Sequence, residues 1–388
     1  MAAPDPITVA SIKQLAKERL PKPVWDYYVT GSDDERTARR NESIYDTILL
    51  RPRVLRDVSA VDTATTIFGK RYAIPVAIAP SAYQRLVGSG GEIDVARASR
   101  NLGTNYVLSS NATTSMEDVM AALPPLGDGC PAPWFQLYFL KSRDISKELI
   151  LRAEKAGYEA LVLTVDTAVM GNRLHERQHP LQLPPDLSLA NLTTIKGGGA
   201  SKARLLLNAR TAAEAEQVTK THGERFVDRS LVWEEVIPWI RAHTKMEVVV
   251  KGIMTAEDAA QAVEAGVDGV IVSNHGGRQL DGVPSTLEVL PEVADAVSGR
   301  IPVIFDGGIT RGSDLFKALA LGANLCLIGR SALWGLAYDG QKGVETVLHI
   351  LERELWRTMS LMGVNSIKGI TRSMLGRPKR DGFGIAKL

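Results

Sequence analysis

Cysteine is scarce in this 388-residue sequence, and long apolar runs are missing. The two cysteines, Cys130 and Cys326, lie far apart and have neither the spacing of metal ligands nor that of a redox pair. We therefore expect no disulfide framework and a protein of a reducing compartment. No apolar run reaches the roughly 18 residues that a membrane-spanning helix requires, so we also expect no membrane span.

Charge of one sign is not in excess either. The 46 basic and 44 acidic residues are spread along the chain without a Lys/Arg block, which argues against a nucleic-acid partner. The N-terminus lacks the basic region and apolar core of a secretory signal, so we expect an intracellular protein. The C-terminal residues Ala386, Lys387 and Leu388 differ by one residue from the Ser-Lys-Leu address, which predicts the peroxisome, with the cytoplasm as the alternative.

Short apolar runs bounded by turn residues are typical of buried strands. Eight such runs occur, at 72–80, 105–110, 134–139, 160–166, 246–252, 268–276, 301–308 and 325–330. Helix-like stretches lie between most of them, which predicts the α/β class and a (β/α)8 TIM barrel, in one domain over residues 1–388. A doubly wound open sheet is the alternative, but its glycine-rich candidate turn at 88–93 lies well past the first strand.

Two segments lie outside the alternating pattern. Residues 1–70 precede the first strand and are partly helix-like, so we interpret them as an N-terminal helical cap. Some 80 residues separate the fourth and fifth strands, of which 230–244 resemble the fourth helix. The remainder, about 175–228, is predicted to be an insertion that covers the barrel mouth as a lid.

Polar and ionisable residues concentrate where the predicted strands end. Barrel enzymes carry their active sites at these ends, and burying unpaired charges there without a function would be costly. The loops after the last two strands, GGITRG and IGR, have the position at which barrels often bind phosphate. Arg330 in the second loop adds a forked, charge-assisted donor. We therefore predict an active site that takes a phosphate-bearing cofactor or substrate.

The strand-end motifs also resemble those of a known family. SNHGGRQLDG, VKG, FQLY, TVD, DGG and GR, each at the end of its strand, are similar to the FMN-dependent α-hydroxy acid oxidases and dehydrogenases, which include glycolate oxidase and L-lactate oxidase. The resemblance extends from DYY in the N-terminal segment to KALALGA after the seventh strand. It implies FMN as cofactor, a 2-hydroxy acid as substrate and a homotetramer.

The resemblance implies a role for each matching residue. His275 would be the base, and Asp166 would orient it and stabilise its protonated form. Arg173 and Arg278 would bind the substrate carboxylate, for which two guanidiniums are suited. Tyr27 would donate a hydrogen bond to the same carboxylate.

The remaining implied roles concern the flavin and the hydroxyl carbon. Tyr138 would face that carbon, and Lys251 would stabilise negative charge on the reduced flavin. The implied cofactor-binding residues further include Ser81, Ala82, Ser109, Gln136, Thr164, Ser273, Asp306, Gly307, Gly308, Arg311, Gly329 and Arg330.

The implied chemistry is the loss of two electrons and two protons from a 2-hydroxy acid. The sequence leaves open whether His275 removes the carbon-bound or the hydroxyl proton. It favours an oxidase of the EC 1.1.3 type, with O2 reduced to H2O2, because of the peroxisome-like tail. The alternative is a dehydrogenase that passes electrons to another acceptor.

Two positions depart from glycolate oxidase-like members. Asn111 stands where those members have tryptophan, which predicts a larger and more polar substrate pocket and favours a lactate-like substrate over glycolate. Thr310 stands where they have arginine, so Arg311 is the candidate for the missing phosphate contact.

Residues 175–179 match the zinc-protease motif H-E-x-x-H, which requires both histidines on one face of a helix. Pro180 follows at once and disfavours a helical His179, so we interpret this segment as part of the lid without a metal.

Two further interpretations of the barrel stay open. One is an isomerase or aldolase with Lys251 as Schiff-base lysine, and the second is a non-enzymatic FMN-binding barrel.

Overall fold

A computed structural model describes residues 6–127, 129–179, 181–193, 209–223, 226–379 and 384–388. Part of the predicted lid, at 194–208, lies outside the described residues. The helices are α1 (Val9–Arg19), α2 (Lys22–Val29), α3 (Arg36–Ser43), α4 (Gly91–Asn101), α5 (Met116–Ala121), α6 (Arg143–Ala156), α7 (Leu174–Gln178), α8 (Ala190–Thr193), α9 (Ala212–His222), α10 (Trp233–Arg241), α11 (Ala256–Glu264), α12 (Thr286–Val297), α13 (Gly312–Ala320) and α14 (Arg330–Met362). The strands are β1 (Leu49–Leu50), β2 (Thr65–Ile67), β3 (Lys70–Tyr72), β4 (Val76–Ile78), β5 (Val107–Ser109), β6 (Trp134–Leu137), β7 (Ala160–Thr164), β8 (Glu247–Ile253), β9 (Gly269–Val272), β10 (Val303–Asp306), β11 (Leu325–Ile328), β12 (Leu375–Pro378) and β13 (Ile385–Lys387).

Eight parallel strands form the predicted barrel. Their order is β4-β11-β10-β9-β8-β7-β6-β5, and a parallel bridge between Ile78 and Tyr106 joins the two outer strands of this order. Seven of the eight strands are shorter than predicted, and β8 has the predicted length with a shift of one residue. The run 72–80 contains two elements, because Tyr72 ends β3 and the barrel strand starts only after Pro75, which lacks an amide donor.

Alternation along the strands separates the barrel interior from the helix-facing surface. One apolar cluster fills the interior and includes Val107, Trp134, Val162, Val249 and Ile304. The residues next to these in the chain, such as Leu108 and Phe135, belong to the second and larger cluster that packs against the helices. Because side chains fill the interior, a ligand site of this barrel is expected at the ends of the strands and not at its centre.

The N-terminal segment contributes three helices to the outside of this barrel, of which α1 packs against α14. The predicted cap is therefore helical in part, and residues 65–72 form a two-stranded hairpin, β2–β3. The division into cap, barrel and lid within one domain stays a prediction. Among the described residues, none of the helices is apolar over the length that a bilayer crossing needs.

Helix α14 bends sharply at Asp339 and Gly340, which have non-helical dihedral angles. The bend brings the backbones around Gly335 and Gly343 together. A β-carbon on Gly343 would lie 1.9 Å from the carbonyl oxygen of Gly335, so only glycine permits this contact.

We expect Gly343→Ala to destabilise the protein, because the added methyl group must push the two halves of α14 apart. Overpacking of this kind costs about 1–3 kcal/mol, which for a chain of this length corresponds to a melting temperature lower by about 1–4 °C. Gly223→Ala is the control, since a β-carbon at this position would have no described atom within 4 Å and its φ is −54°. Thermal denaturation followed by circular dichroism measures both. Equal melting temperatures for the two variants would contradict this account of the bend.

Candidate active site

A cavity of about 750 Å³ opens at the C-terminal ends of the barrel strands. Eighteen of the twenty residues predicted for the site line it, which leaves Asp166 and Ser273. Both of these bond to lining residues, Asp166 to His275 and Ser273 to Lys251. The structure therefore brings the whole predicted set together in one place.

The predicted base, His275, and its predicted partner, Asp166, are in direct contact. Nδ1 of His275 lies 2.9 Å from Oδ1 of Asp166, and Nε2 lies 3.4 Å from the hydroxyl of Tyr138. An ionised carboxylate only accepts hydrogen bonds, so the Nδ1 atom carries the proton. The Nε2 atom of the neutral ring is then the one available to take a proton.

Burial and charge set the protonation states of this pair. Burial alone would raise the pKa of Asp166, but the charge of His275 and its hydrogen bond lower the pKa to about 2. Burial lowers the pKa of His275 below the usual value of 6.5, while Asp166 acts in the opposite direction. At neutral pH the site therefore contains an ionised Asp166 and a neutral His275.

A bulge in β8 makes room for Asp166. The register with β9 shifts between Lys251 and Ile253, and Gly252 between them has a φ of +119°. A β-carbon there would lie 2.7 Å from the β-carbon of Asp166. Glycine at 252 is thus required for the carboxylate to reach His275.

Lys251 is held by two neighbours on the floor of the cavity. Its ammonium donates to the hydroxyl of Ser273 at 2.7 Å and lies 3.4 Å from Asp306. The Ser273 hydroxyl donates in turn to Asp306 at 2.9 Å. The three side chains fix one positive charge in a buried position.

A row of polar side chains crosses three adjacent strands. The Gln136 amide donates to the Thr164 hydroxyl at 3.0 Å and accepts from the Ser109 hydroxyl at 3.3 Å. All three side chains line the cavity. Such a row offers donors and acceptors to the edge of a flat heterocycle.

Two of the arginines that line the cavity, Arg278 and Arg330, are bound to carbonyls at the C-terminal end of α2. Arg278 donates through Nη1 to the carbonyls of Tyr27 and Thr30, at 2.7 and 2.8 Å. Arg330 donates to the carbonyls of Tyr28, Gly276 and Thr30. The last carbonyls of a helix lack intrahelical donors and carry negative partial charge, so they suit guanidinium groups.

This arrangement changes the expected role of Arg330. Three of its five N–H groups are used on backbone carbonyls, so its side chain joins the N-terminal segment to the His275 loop. The remaining two N–H groups and the charge are what it can offer to an anion. Sequence motifs carry no information on backbone acceptors, and this function was not predicted.

The predicted phosphate end lies between the N-termini of α13 and α14. The amides of Thr310 and Arg311 already donate to Asp314, and the amide of Gly312 donates to Glu354. The N-terminus of α14, where Gly329 is the N-cap residue, is therefore the better candidate for binding an anion. The side chain of Arg311 also lines the cavity here.

Gly308 has a specific reason to be glycine. Its φ is +71°, and a β-carbon would lie 1.8 Å from the carbonyl oxygen of Asn41. This lets the C-terminal part of α3 close over the loop after β10. The N-terminal segment thus forms one wall of the cavity.

Gln279 is a site residue that the sequence motifs did not identify. Its amide donates to the carbonyls of Asp166 and Val169 and accepts from the amide of Gly171. It therefore holds the loop after β7 against the His275 loop. Its position directly after Arg278 was a signal that the sequence contained. The path of the loop after β7, which supplies its partners, could not be predicted from the sequence.

The H-E-x-x-H segment does not place its histidines on one helix face. Helix α7 ends at Gln178, and His179 follows as the C-cap residue with non-helical dihedral angles. The glutamate of the motif, Glu176, is buried and lies 3.6 Å from Arg173. The motif therefore belongs to the arginine-lined part of the site.

Comparisons with known proteins agree with the resemblance noted in the sequence. Residues 16–377 match a family model described as FMN-dependent dehydrogenase. A 2-hydroxyacid oxidase of Dictyostelium discoideum is 44% identical over 95% of this chain and 90% of its own. An L-lactate oxidase of a Nostoc strain is 42% identical over 96% and 99%. A solved chimera of (S)-mandelate dehydrogenase superimposes with a TM-score of 0.85 at 36% identity, covering 96% of this chain and 99% of its own.

We expect Asp166→Asn to lower the pKa of His275 further, because Asp166 is the group that raises it against the effect of burial. Asp186→Asn, at an exposed position, is the control and should leave the pKa unchanged. NMR titration with labelled histidine resolves this, since the chain has six histidines. A higher pKa in Asp166→Asn would rule out the assigned roles of the pair.

Proposed function

The chain belongs to the family of FMN-dependent 2-hydroxy acid oxidases and dehydrogenases, with FMN as cofactor, and on this premise we propose that it oxidises an L-2-hydroxy acid to the 2-oxo acid. The observation that carries this proposal is the position of the His275–Asp166 pair in the same cavity as Arg173 and Arg278. A base and a carboxylate-binding pair are the two groups that this reaction needs from the protein.

The residues present fit FMN. The cavity of about 750 Å³ lies within the range of cofactor sites, and its polar row of Ser109, Gln136 and Thr164 suits a ring edge. Lys251 would balance negative charge on the ring, and the N-terminus of α14 would hold the phosphate. When bound, FMN supplies a two-electron acceptor.

We assign the substrate carboxylate to Arg173 and Arg278. Arg173 is buried and Arg278 is partly buried, and both line the cavity with Tyr27, whose ring lies 4.9 Å from the Arg278 guanidinium. In a buried site each charge-assisted hydrogen bond to the carboxylate is stronger than in water. Holding the carboxylate at both arginines would orient the hydroxyl carbon toward His275 and Tyr138.

His275 then acts as the base at its Nε2 atom. Its proton-free state at neutral pH follows from burial, which lowers its pKa, and Asp166 stabilises the ring once it takes a proton. Either the carbon-bound or the hydroxyl proton could be the one that it takes. The Tyr138 hydroxyl lies close enough to Nε2 to orient the same hydroxyl group of the substrate.

We propose O2 as the electron acceptor. The two electrons and two protons taken from the 2-hydroxy acid then reduce O2 to H2O2. The names of the Dictyostelium and Nostoc relatives, both oxidases, support this choice. The alternative is a dehydrogenase with another acceptor, which the likeness to the (S)-mandelate dehydrogenase chimera supports.

Asn111 supports a substrate larger than glycolate, with lactate-like acids favoured. It lines the cavity together with the apolar Leu140, Leu192 and Phe226. Its backbone is fixed at both ends, because its amide donates to the Ser109 hydroxyl and its carbonyl accepts from the Tyr83 amide. The Cα atom of Asn111, and with it the origin of its side chain, therefore has a defined position in the wall of the cavity.

We further propose a homotetramer and a peroxisomal location. Ala386 and Lys387 belong to β13, which pairs with β12, and the amide of Leu388 lies 3.4 Å from the carbonyl of Leu375. This short strand lies at the edge of its sheet, and its residues are exposed. A receptor that binds Ala386, Lys387 and Leu388 must first detach it from β12.

The decisive test of the reaction is anaerobic addition of glycolate, both enantiomers of lactate and both enantiomers of mandelate to the purified flavoprotein. L-2-hydroxy acids should bleach the flavin absorbance, D-acids should not, and admitting air should restore the colour with release of H2O2. Slow recolouring without peroxide would favour the dehydrogenase alternative. Absence of bleaching by every L-acid would contradict the proposed function.

Asn111→Trp probes the substrate preference in the same assay. An indole at this position should fill part of the cavity and lower kcat/KM for lactate and mandelate by about tenfold or more relative to glycolate. Asn111→Ala is the matched variant that removes the amide without filling the cavity. Unchanged ratios in Asn111→Trp would show that Asn111 does not face the substrate.

The location is tested with an N-terminal fluorescent fusion in cells that contain peroxisomes. The intact tail should give peroxisomal fluorescence, and deletion of Leu388 should make the signal diffuse. Ala386→Ser restores the standard address and is the positive control. Diffuse fluorescence of the intact chain beside a peroxisomal control would exclude the address.

A further inference from the structure

We propose that Glu176 is a positioning residue that offsets the positive charge of Arg173 and Arg278 and thereby weakens the binding of carboxylate ligands to them. This inference rests on the proposed function, in which these two arginines bind the substrate carboxylate. It assigns a role to the acidic residue of the H-E-x-x-H segment, which the proposed reaction does not otherwise use.

The first observation is the burial of an acid beside the carboxylate-binding arginines. The side chains of Glu176 and Arg173 are 3% and 7% exposed, and Oε2 of Glu176 lies 3.6 Å from Nη1 of Arg173. Arg173 is the N-cap residue of α7, and Glu176 lies in the first turn of that helix. The fold of this short helix therefore fixes the distance between the two charges.

The second observation connects Glu176 to the other arginine. Nε of Arg173 lies 3.4 Å from the carbonyl of Arg278, so the two residues are neighbours across the loops. Burial lowers the pKa of Arg278 to about 9, Arg173 lowers it as well, and Glu176 acts in the opposite direction. Before any ligand arrives, Glu176 thus stabilises the charged form of Arg278 and lies beside the guanidinium of Arg173.

The consequence follows from the sign of the charges. A substrate or product carboxylate brings a second anion to the same two guanidiniums, where it is repelled by Glu176. In a buried site this repulsion is screened less than in water. Glu176 therefore keeps the unliganded site stable and at the same time limits how tightly the 2-oxo acid product is held.

The position of Glu176 distinguishes this role from that of a substrate ligand. Among the described residues, those that line the cavity include Arg173 and Arg278 but not Glu176, so the acid lies behind the arginines. An acid in front of them would block the carboxylate site. An acid behind them adjusts the charge of the site and leaves the path to the guanidiniums open.

The test uses the oxidised holoenzyme with oxalate and pyruvate as anionic probes and lactamide as a neutral one. Binding is followed by the change in flavin absorbance. Glu176→Gln keeps the shape of the side chain and an acceptor for Arg173 but removes the charge. We expect it to bind oxalate and pyruvate about three- to tenfold more tightly than wild type and lactamide equally well.

Two further measurements separate the effect of the Glu176 charge from an effect on the folded structure. The melting temperature of Glu176→Gln should be lower than that of wild type without ligand, and oxalate should raise it by more. Glu264→Gln, at an exposed position on α11, should match wild type throughout. Glu176→Asp keeps the charge at a greater distance from the arginines and should bind oxalate and pyruvate with an affinity between those of wild type and Glu176→Gln. If Glu176→Gln does not retain FMN, tighter anion binding by Glu176→Asp than by wild type is the result that supports the inference.

Equal or weaker anion binding by Glu176→Gln would overturn the inference, because a residue that only holds Arg173 in place can lose affinity but not gain it. In that case the proposed function would stand, provided that both anions bind to wild type and compete with substrate. Failure of both anions to bind to wild type would instead refute the carboxylate site itself, and with it this inference.

Discussion

The burial of several positive charges in one cavity is the constraint on which the site depends. Lys251, Arg173, Arg278 and Arg330 line this cavity together with His275, which becomes a further positive charge when it takes a proton, and an unpaired buried charge costs several kcal/mol. The structure gives each of these side chains an acceptor. Asp306 faces Lys251, Asp166 faces His275, Glu176 faces Arg173, and backbone carbonyls serve the other two arginines. The remaining positive charge suits a site for a phosphate and a carboxylate.

This constraint also explains why the barrel alone does not complete the site. Three of the four carbonyls that hold Arg278 and Arg330 come from the end of α2, which precedes the barrel in the chain. Helix α3 closes over Gly308, where only glycine allows the approach. The N-terminal segment is thus part of the charge balance of the active site, and its loss would leave two guanidiniums in the cavity without these acceptors.

Much of this was predictable from the sequence, for reasons that differ between residues. Apolar periodicity located the eight strands, and motifs at their ends located His275, Lys251 and Arg278. Gln279 received no role, because its partners lie on a distant loop whose path has no sequence signature. Glu176 was considered only as part of the H-E-x-x-H segment, although its partner Arg173 lies three residues before it. The acceptors of Arg330 are backbone carbonyls, which every residue has. Asp314 and Glu354 were likewise missed as partners of the α13 amides, and they move the expected anion site toward α14.

The central claim is that Arg173 and Arg278 hold the carboxylate of the substrate beside the Nε2 atom of His275. A crystal structure of the holoenzyme with a bound 2-oxo acid tests it most directly. We expect the ligand carboxylate within hydrogen-bonding distance of both guanidiniums, with its 2-oxo carbon next to Nε2 of His275. A carboxylate bound at Lys251, or anywhere else with Arg173 still on Glu176 and Arg278 only on the α2 carbonyls, would contradict it.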